Sequence, residues 1–115
     1  MNIFDIYLDK IIKLIENENK NGLLKLPEKL NSINVDIPPK QFDCDISTNV
    51  SMVLAKINSK QPLDIAKKIS ELIEKDDQNI DTVQIAKPGF INIKFKKNFW
   101  SRFVRDVIAS DNLYG

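Results

Sequence analysis

Between positions 86 and 95 the chain reads Ala-Lys-Pro-Gly-Phe-Ile-Asn-Ile-Lys-Phe, and its alternate residues belong to two chemistries. Ile91, Ile93 and Phe95 form one set; Phe90, Asn92, Lys94 and Lys96 form the other. Successive side chains of a strand point to opposite faces. If the apolar set faces a core, the second set faces away from it, joined by Gln84 of a partner strand. An aromatic ring can stack on an unpaired base, an amide offers a base edge both a donor and an acceptor, and ammonium groups pair with phosphates. This set suits a looped-out nucleotide in RNA better than a duplex groove.

The charge distribution points the same way. The formal net charge of the 115 residues is only +1. From Lys87 to Arg105, however, there are six cations (Lys87, Lys94, Lys96, Lys97, Arg102 and Arg105) and no acid. Residues 1–86 carry 11 lysines against 14 acidic residues, and Asp106 and Asp111 follow the basic window. The near-neutral total is a basic hairpin and helix set against an acidic remainder. The same pattern is also that of a solvated face, with lysines guarding an edge strand and Phe90 packed under a neighbouring loop. A protein-docking or purely structural module therefore stands beside RNA binding as the alternative.

Other chemistries are excluded or poorly supplied. There is no histidine, which removes a Ser-His-Asp triad, a Cys-His pair and every His-based metal site. Cys44 is the single cysteine, so no internal disulfide can form, and it reads as a reduced core or loop residue. Asp43 and Asp45 have no clustered partner ligands, and helix capping suits them better than a metal. Ser47 and Thr48 have no base to activate them. No catalytic residue and no metal site is assigned. The opening residues interleave acids with apolar side chains, unlike a leader, and no run approaches the about 20 apolar residues of a membrane helix. The chain reads as cytoplasmic.

The elements that must position these residues follow from periodicity. Ile3, Phe4, Tyr7, Leu8, Ile11, Ile12, Leu14 and Ile15 predict an amphipathic helix over roughly residues 2–18. Ile33, Val35 and Ile37 predict a short strand stopped by Pro38-Pro39. Ser47 or Asp45 can cap a second helix bearing Val50, Val53, Leu54 and Ile57. Pro62 suits the first turn of a third, which buries Ile65, Ala66, Ile69, Leu72 and Ile73 and ends before Asp76-Asp77. Residues 82–86 and 90–95 alternate as a β-hairpin, with Pro88-Gly89 predicting a type II turn. A last helix carries Phe99, Trp100, Phe103, Val104, Val107 and Ile108, with Trp100 in the core. The sum is an α+β domain: a small antiparallel sheet of three or four strands, packed on one face by about four helices.

Two segments taken together resemble a known family. They are Asp45-Ile46-Ser47-Thr48-Asn49-Val50-Ser51-Met52-Val53-Leu54-Ala55-Lys56 and Ala86-Lys87-Pro88-Gly89-Phe90-Ile91-Asn92-Ile93-Lys94-Phe95, in that order, with a Pro-initiated helix between them. The pattern resembles the N-terminal additional domain of arginyl-tRNA synthetase, from the first helix to the closing Asn112-Leu113-Tyr114-Gly115. The resemblance implies docking on the elbow of tRNA, with Phe90 and Asn92 at the positions that contact a D-loop base. Lys87 falls on a further contact position, where a lysine suits phosphate. Asp45, Thr48 and Asn49 match a segment read as mainly structural, capping the helix and fixing the loop before it. Where the family commonly has glycine before that aspartate, often preceded by histidine, this chain has Cys44 and Asp43. The resemblance also implies a catalytic domain, with ATP and Mg²⁺, in a longer parent polypeptide. Residues 1–115 are then a single, non-catalytic, tRNA-binding N-terminal domain, monomeric, with no cofactor of its own and no membrane partner.

Overall fold

Ile3, Tyr7, Ile11 and Ile15 recur every fourth residue and are all buried, which sets the inner stripe of α1 (Ile3–Lys20). In the computed structural model, residues 2–103 and 105 are described. Asn2 caps α1 by accepting the Asp5 N–H at 2.9 Å. The helix runs two residues past its expected end and stops where Gly22 takes φ +75°, with the Leu23 N–H bonded to the Glu18 carbonyl at 2.9 Å. That bond and the left-handed glycine are the Schellman termination, which satisfies otherwise orphaned helix carbonyls.

The strand expected over 33–37 is only β1 (Val35–Asp36). Ile33 and Val35 are buried, but Ile37 is 78% exposed and Pro38 turns inward instead. The residue before a proline is restricted and the proline lacks an N–H, so the alternation ends one step earlier than its apolar spacing suggests.

A second departure follows. Asp45 and Ser47 do not cap a helix, because Ile46–Thr48 form strand β2. The helix α2 (Val50–Ala55) starts after Asn49, whose side chain makes no cap bond; Thr48 supplies its hydroxyl to the Val50 N–H at 3.2 Å. Val50 and Leu54 are buried, whereas Ile57 lies past the helix and is 40% exposed. α3 (Pro62–Asp76) begins at its proline and buries Ile65, Ala66, Ile69 and Ile73, with Leu72 half-buried.

β3 (Ile80–Ala86) and β4 (Phe90–Phe95) form the expected antiparallel hairpin, and the sheet order is β1-β2-β4-β3. β4 is thus an inner strand, paired on both sides. Thr48, Ile91 and Ile85 lie side by side across three strands, as do Ile46, Ile93 and Val83. These residues make the sheet face that meets the helices. A last helix, α4, is described over 97–103 and at 105. Its Phe99, Trp100 and Phe103 join Tyr7 and Phe95 in one aromatic cluster, with Phe95 and Phe99 stacked at 4.4 Å. Val104, Val107 and Ile108 lie outside the described residues. No described helix is long and apolar enough to cross a membrane.

One polar contact pins the core. The Tyr7 hydroxyl donates to the Asp77 carboxylate at 2.6 Å in a buried setting, and Lys10 reaches the same oxygen at 3.4 Å. The other carboxylate oxygen accepts the Asn79 N–H at 2.9 Å. Burial pushes the Asp77 carboxyl pKa up, but Tyr7, the Asn79 amide and Lys10 outweigh it, so the group ends below the usual carboxylate value. A depressed folded pKa adds stability that is complete above the unfolded value of about 4 and is lost as pH falls through the folded one. Tyr7→Phe is expected to cost about 1–3 kcal/mol at neutral pH. It should also flatten the loss of stability below about pH 4. Denaturant titrations at pH 7 and pH 3 measure both effects.

Candidate nucleic-acid interface

The turn joining β3 and β4 sets the geometry of the site. Ala86 pairs with Phe90 across a loop of Lys87, Pro88 and Gly89. The Lys87–Pro88 peptide is cis, and Gly89 is not in the left-handed region, so this is not the type II turn expected from Pro-Gly. Glycine is required here for a different reason. A Cβ at Gly89 would stand 2.7 Å from Pro62 Cβ and 3.3 Å from Met52 Cγ. The turn is therefore seated directly on the start of α3 and on α2.

Beyond the turn, the outer sheet face carries a polar row of directly opposed residues: Asp36, Ser47, Asn92 and Gln84, one from each strand. Asn92 was expected to be exposed, and it is not: its exposure is 0%. The segment 37–44 lies over this face, and Pro39, Gln41 and Phe42 border a cleft whose other side is Ala86, Lys87, Phe90 and Asn92. The cleft measures about 280 Å³. Both polar atoms of the Asn92 side chain are buried and have no hydrogen-bond partner. Phe90 remains 39% exposed beside them. A flat group in the cleft would lie against an aromatic ring, with an unsatisfied donor and acceptor closed off from solvent beside it.

The structure separates the remaining expected contacts. Lys87 is exposed at the cleft and makes no ion pair or hydrogen bond among the described residues. Gln84 is exposed and directly opposite Asn92, but does not line the cleft. Lys94 bonds the Asp43 carboxylate at 2.5 Å; that bond and the Asp43 charge push its ammonium pKa up, with Asp81 and Asp45 adding to the effect. Lys96 lies past the end of β4, and Arg102 donates to the Asn79 side chain at 2.8 Å. The basic window of the sequence is thus divided in space, with Lys87 alone at the cleft.

Asp45, Thr48 and Asn49 act as pins. The Asp45 carboxylate accepts the Phe95 N–H at 2.8 Å, rather than capping a helix. Asn49 clamps the loop before β1 at two points, accepting from the Asn34 N–H at 2.8 Å and donating to the Ser32 carbonyl at 2.9 Å. Burial, and then the charges of Asp45 and Asp43, push the Cys44 thiol up, away from a reactive thiolate. A larger groove of about 570 Å³ between α1 and α3 includes Lys10 and Lys13, already paired with Asp77 and Asp9. None of the orphaned buried polar atoms belongs to a residue lining it. Gln41 and Phe42 were not foreseen, because nothing local in a Pro-Pro segment says which surface it covers.

Comparison with known proteins adds a separate line of evidence. Residues 8–95 match the family described as the arginyl tRNA synthetase N terminal domain. The chain is 58% identical over all its 115 residues to an arginine–tRNA ligase of Pelagibacter ubique. It is 39% identical to that of Bartonella quintana and 31% to that of Staphylococcus carnosus, again over its whole length. In each case it spans 20% of the relative's length.

The contact at Gly89 yields a test that needs no ligand. Gly89→Ala must displace the rigid Pro62 ring or lift the turn, at a cost of about 1–3 kcal/mol. A lower thermal midpoint, together with altered amide chemical shifts at Phe90 and Asn92, is the expected result.

Proposed function

Because this chain belongs to the arginyl-tRNA synthetase N-terminal domain family, we propose that it binds the D-loop at the elbow of arginine tRNA through the cleft beside Asn92. One observation carries the reading: a side-chain amide with 0% exposure and both polar atoms unpartnered, in the wall of a cleft beside a partly exposed phenylalanine. Leaving a buried polar group unsatisfied costs about 1–3 kcal/mol, and a ligand that satisfies it recovers that cost on binding. A nucleobase has the right form. It is flat enough for the cleft, stacks on Phe90, and presents neighbouring donors and acceptors to the amide. Lys87 supplies the phosphate contact at the cleft mouth, and Gln84, Lys96 and neighbouring basic residues are the further contacts this reading assigns.

In this reading the domain holds tRNA for a parent polypeptide that performs ATP-dependent arginylation in the cytoplasm. ATP, Mg²⁺ and the reacting groups belong to the parent's catalytic domain. The domain raises the affinity and fixes the orientation of the tRNA and takes no part in the chemistry.

Binding of in vitro transcribed arginine tRNA is expected to weaken steeply with salt. A log–log slope of roughly −2 to −3 corresponds to a few lysine–phosphate contacts. Phe90→Ala should weaken binding by about 1–3 kcal/mol, the worth of one stacked base. Asn92→Ala should weaken it too, while thermal stability holds or rises because no intramolecular hydrogen bond is lost. Binding that ignores salt, or that survives both substitutions unchanged, would sink the proposal.

A further inference from the structure

The two walls of the cleft differ in how they are held. One wall is β4, hydrogen-bonded to β2 and β3 on either side. The other is segment 37–44, which leaves the sheet after the Asp36–Ser47 pair and returns where the Asp45 N–H meets the Ile93 carbonyl at 2.8 Å. Within it, the backbone bond among the described residues runs from the Phe42 N–H to the Pro39 carbonyl at 3.1 Å. Its described side-chain tie to the sheet is the Asp43 carboxylate, which accepts from Lys94 Nζ. Lys94 is two residues along β4 from Asn92, on the same face. Asp43 directly follows Gln41 and Phe42.

We propose that Asp43 and Lys94 are positioning residues whose ion pair holds segment 37–44 against β4 and so keeps Gln41 and Phe42 opposite Phe90. The inference rests on the nucleotide reading of the cleft. It gives Lys94 a task other than phosphate contact. A phosphate approaching Lys94 would also meet Asp43, which is 91% exposed, with Asp45 and Asp81 near enough to act on the same ammonium. Lys87 carries no such burden. Because both partners of the latch are partly or fully exposed, its effect is modest, about two- to fivefold in an equilibrium.

The test uses Asp43→Asn, Lys94→Met, their combination and Lys94→Arg in the 115-residue chain. Trypsin cleavage after the exposed Lys40 reads segment 37–44 without RNA. Binding to in vitro transcribed arginine tRNA across a salt series reads the cleft. The expected result is that each single variant speeds Lys40 cleavage and weakens tRNA binding about two- to fivefold. The double variant should be no worse than either single, Lys94→Arg should match the parent, and thermal midpoint and salt slope should hold. A direct phosphate contact gives the opposite sign, with Asp43→Asn binding more tightly. It also lowers the salt slope of Lys94→Met by about one. Either result overturns the proposal, as does unchanged Lys40 cleavage in both single variants. If the parent chain binds no tRNA while the variants still speed cleavage, the latch stands and the nucleotide reading falls.

Discussion

A side-chain amide with neither donor nor acceptor satisfied, at a position closed to solvent, is a costly feature that the packing of this fold must offset. Its burial is a consequence of topology. The order β1-β2-β4-β3 makes β4 an inner strand, so Asn92 is flanked by Ser47 and Gln84. The segment leading from β1 to β2 then crosses above it. The helices on the other face bury Ile91 and Ile93 at 0% exposure, which fixes the register and so the face on which Asn92 lies. The aliphatic face stabilises the domain, and the surplus offsets the orphaned amide of Asn92 together with the orphaned hydroxyls of Ser51 and Ser70.

The hairpin turn performs the same service at the strand's end. Pro62 starts α3 and also forms the surface on which Gly89 rests. Phe90, the next residue, is thereby placed beside the cleft. Position 89 tolerates no side chain because two elements meet there, not because the chain needs a left-handed residue.

Much of this was legible in the sequence. The four-residue stripe of α1, the proline that opens α3, and the period-two alternation of the hairpin each reflect a local rule that tertiary packing reinforces. The α+β class and the pairing of Phe90 with Asn92 on one strand face followed from them. What was not legible depended on contacts distant in sequence. The three residues of β2 are too few to show a period, so Asp45 and Ser47 read as caps, although strand pairing claims Ser47 and the Phe95 amide claims Asp45. The Pro-Pro segment has no pattern that says where it lies, so Gln41, Phe42 and the burial of Asn92 were all hidden. The run of six cations looked continuous along the chain, yet folding pairs Lys94 with Asp43 and turns Arg102 toward Asn79.

The central claim is that the orphaned amide of Asn92 is satisfied by a nucleotide of bound tRNA. The most direct measurement follows the Asn92 side-chain NH₂ resonances while arginine tRNA is added to isotopically labelled chain. The account predicts a large shift of those resonances, saturating together with the Phe90 ring signals at the same RNA concentration. Saturable tRNA binding that leaves the Asn92 resonances in place, with shifts confined to the α1–α3 groove, would contradict it.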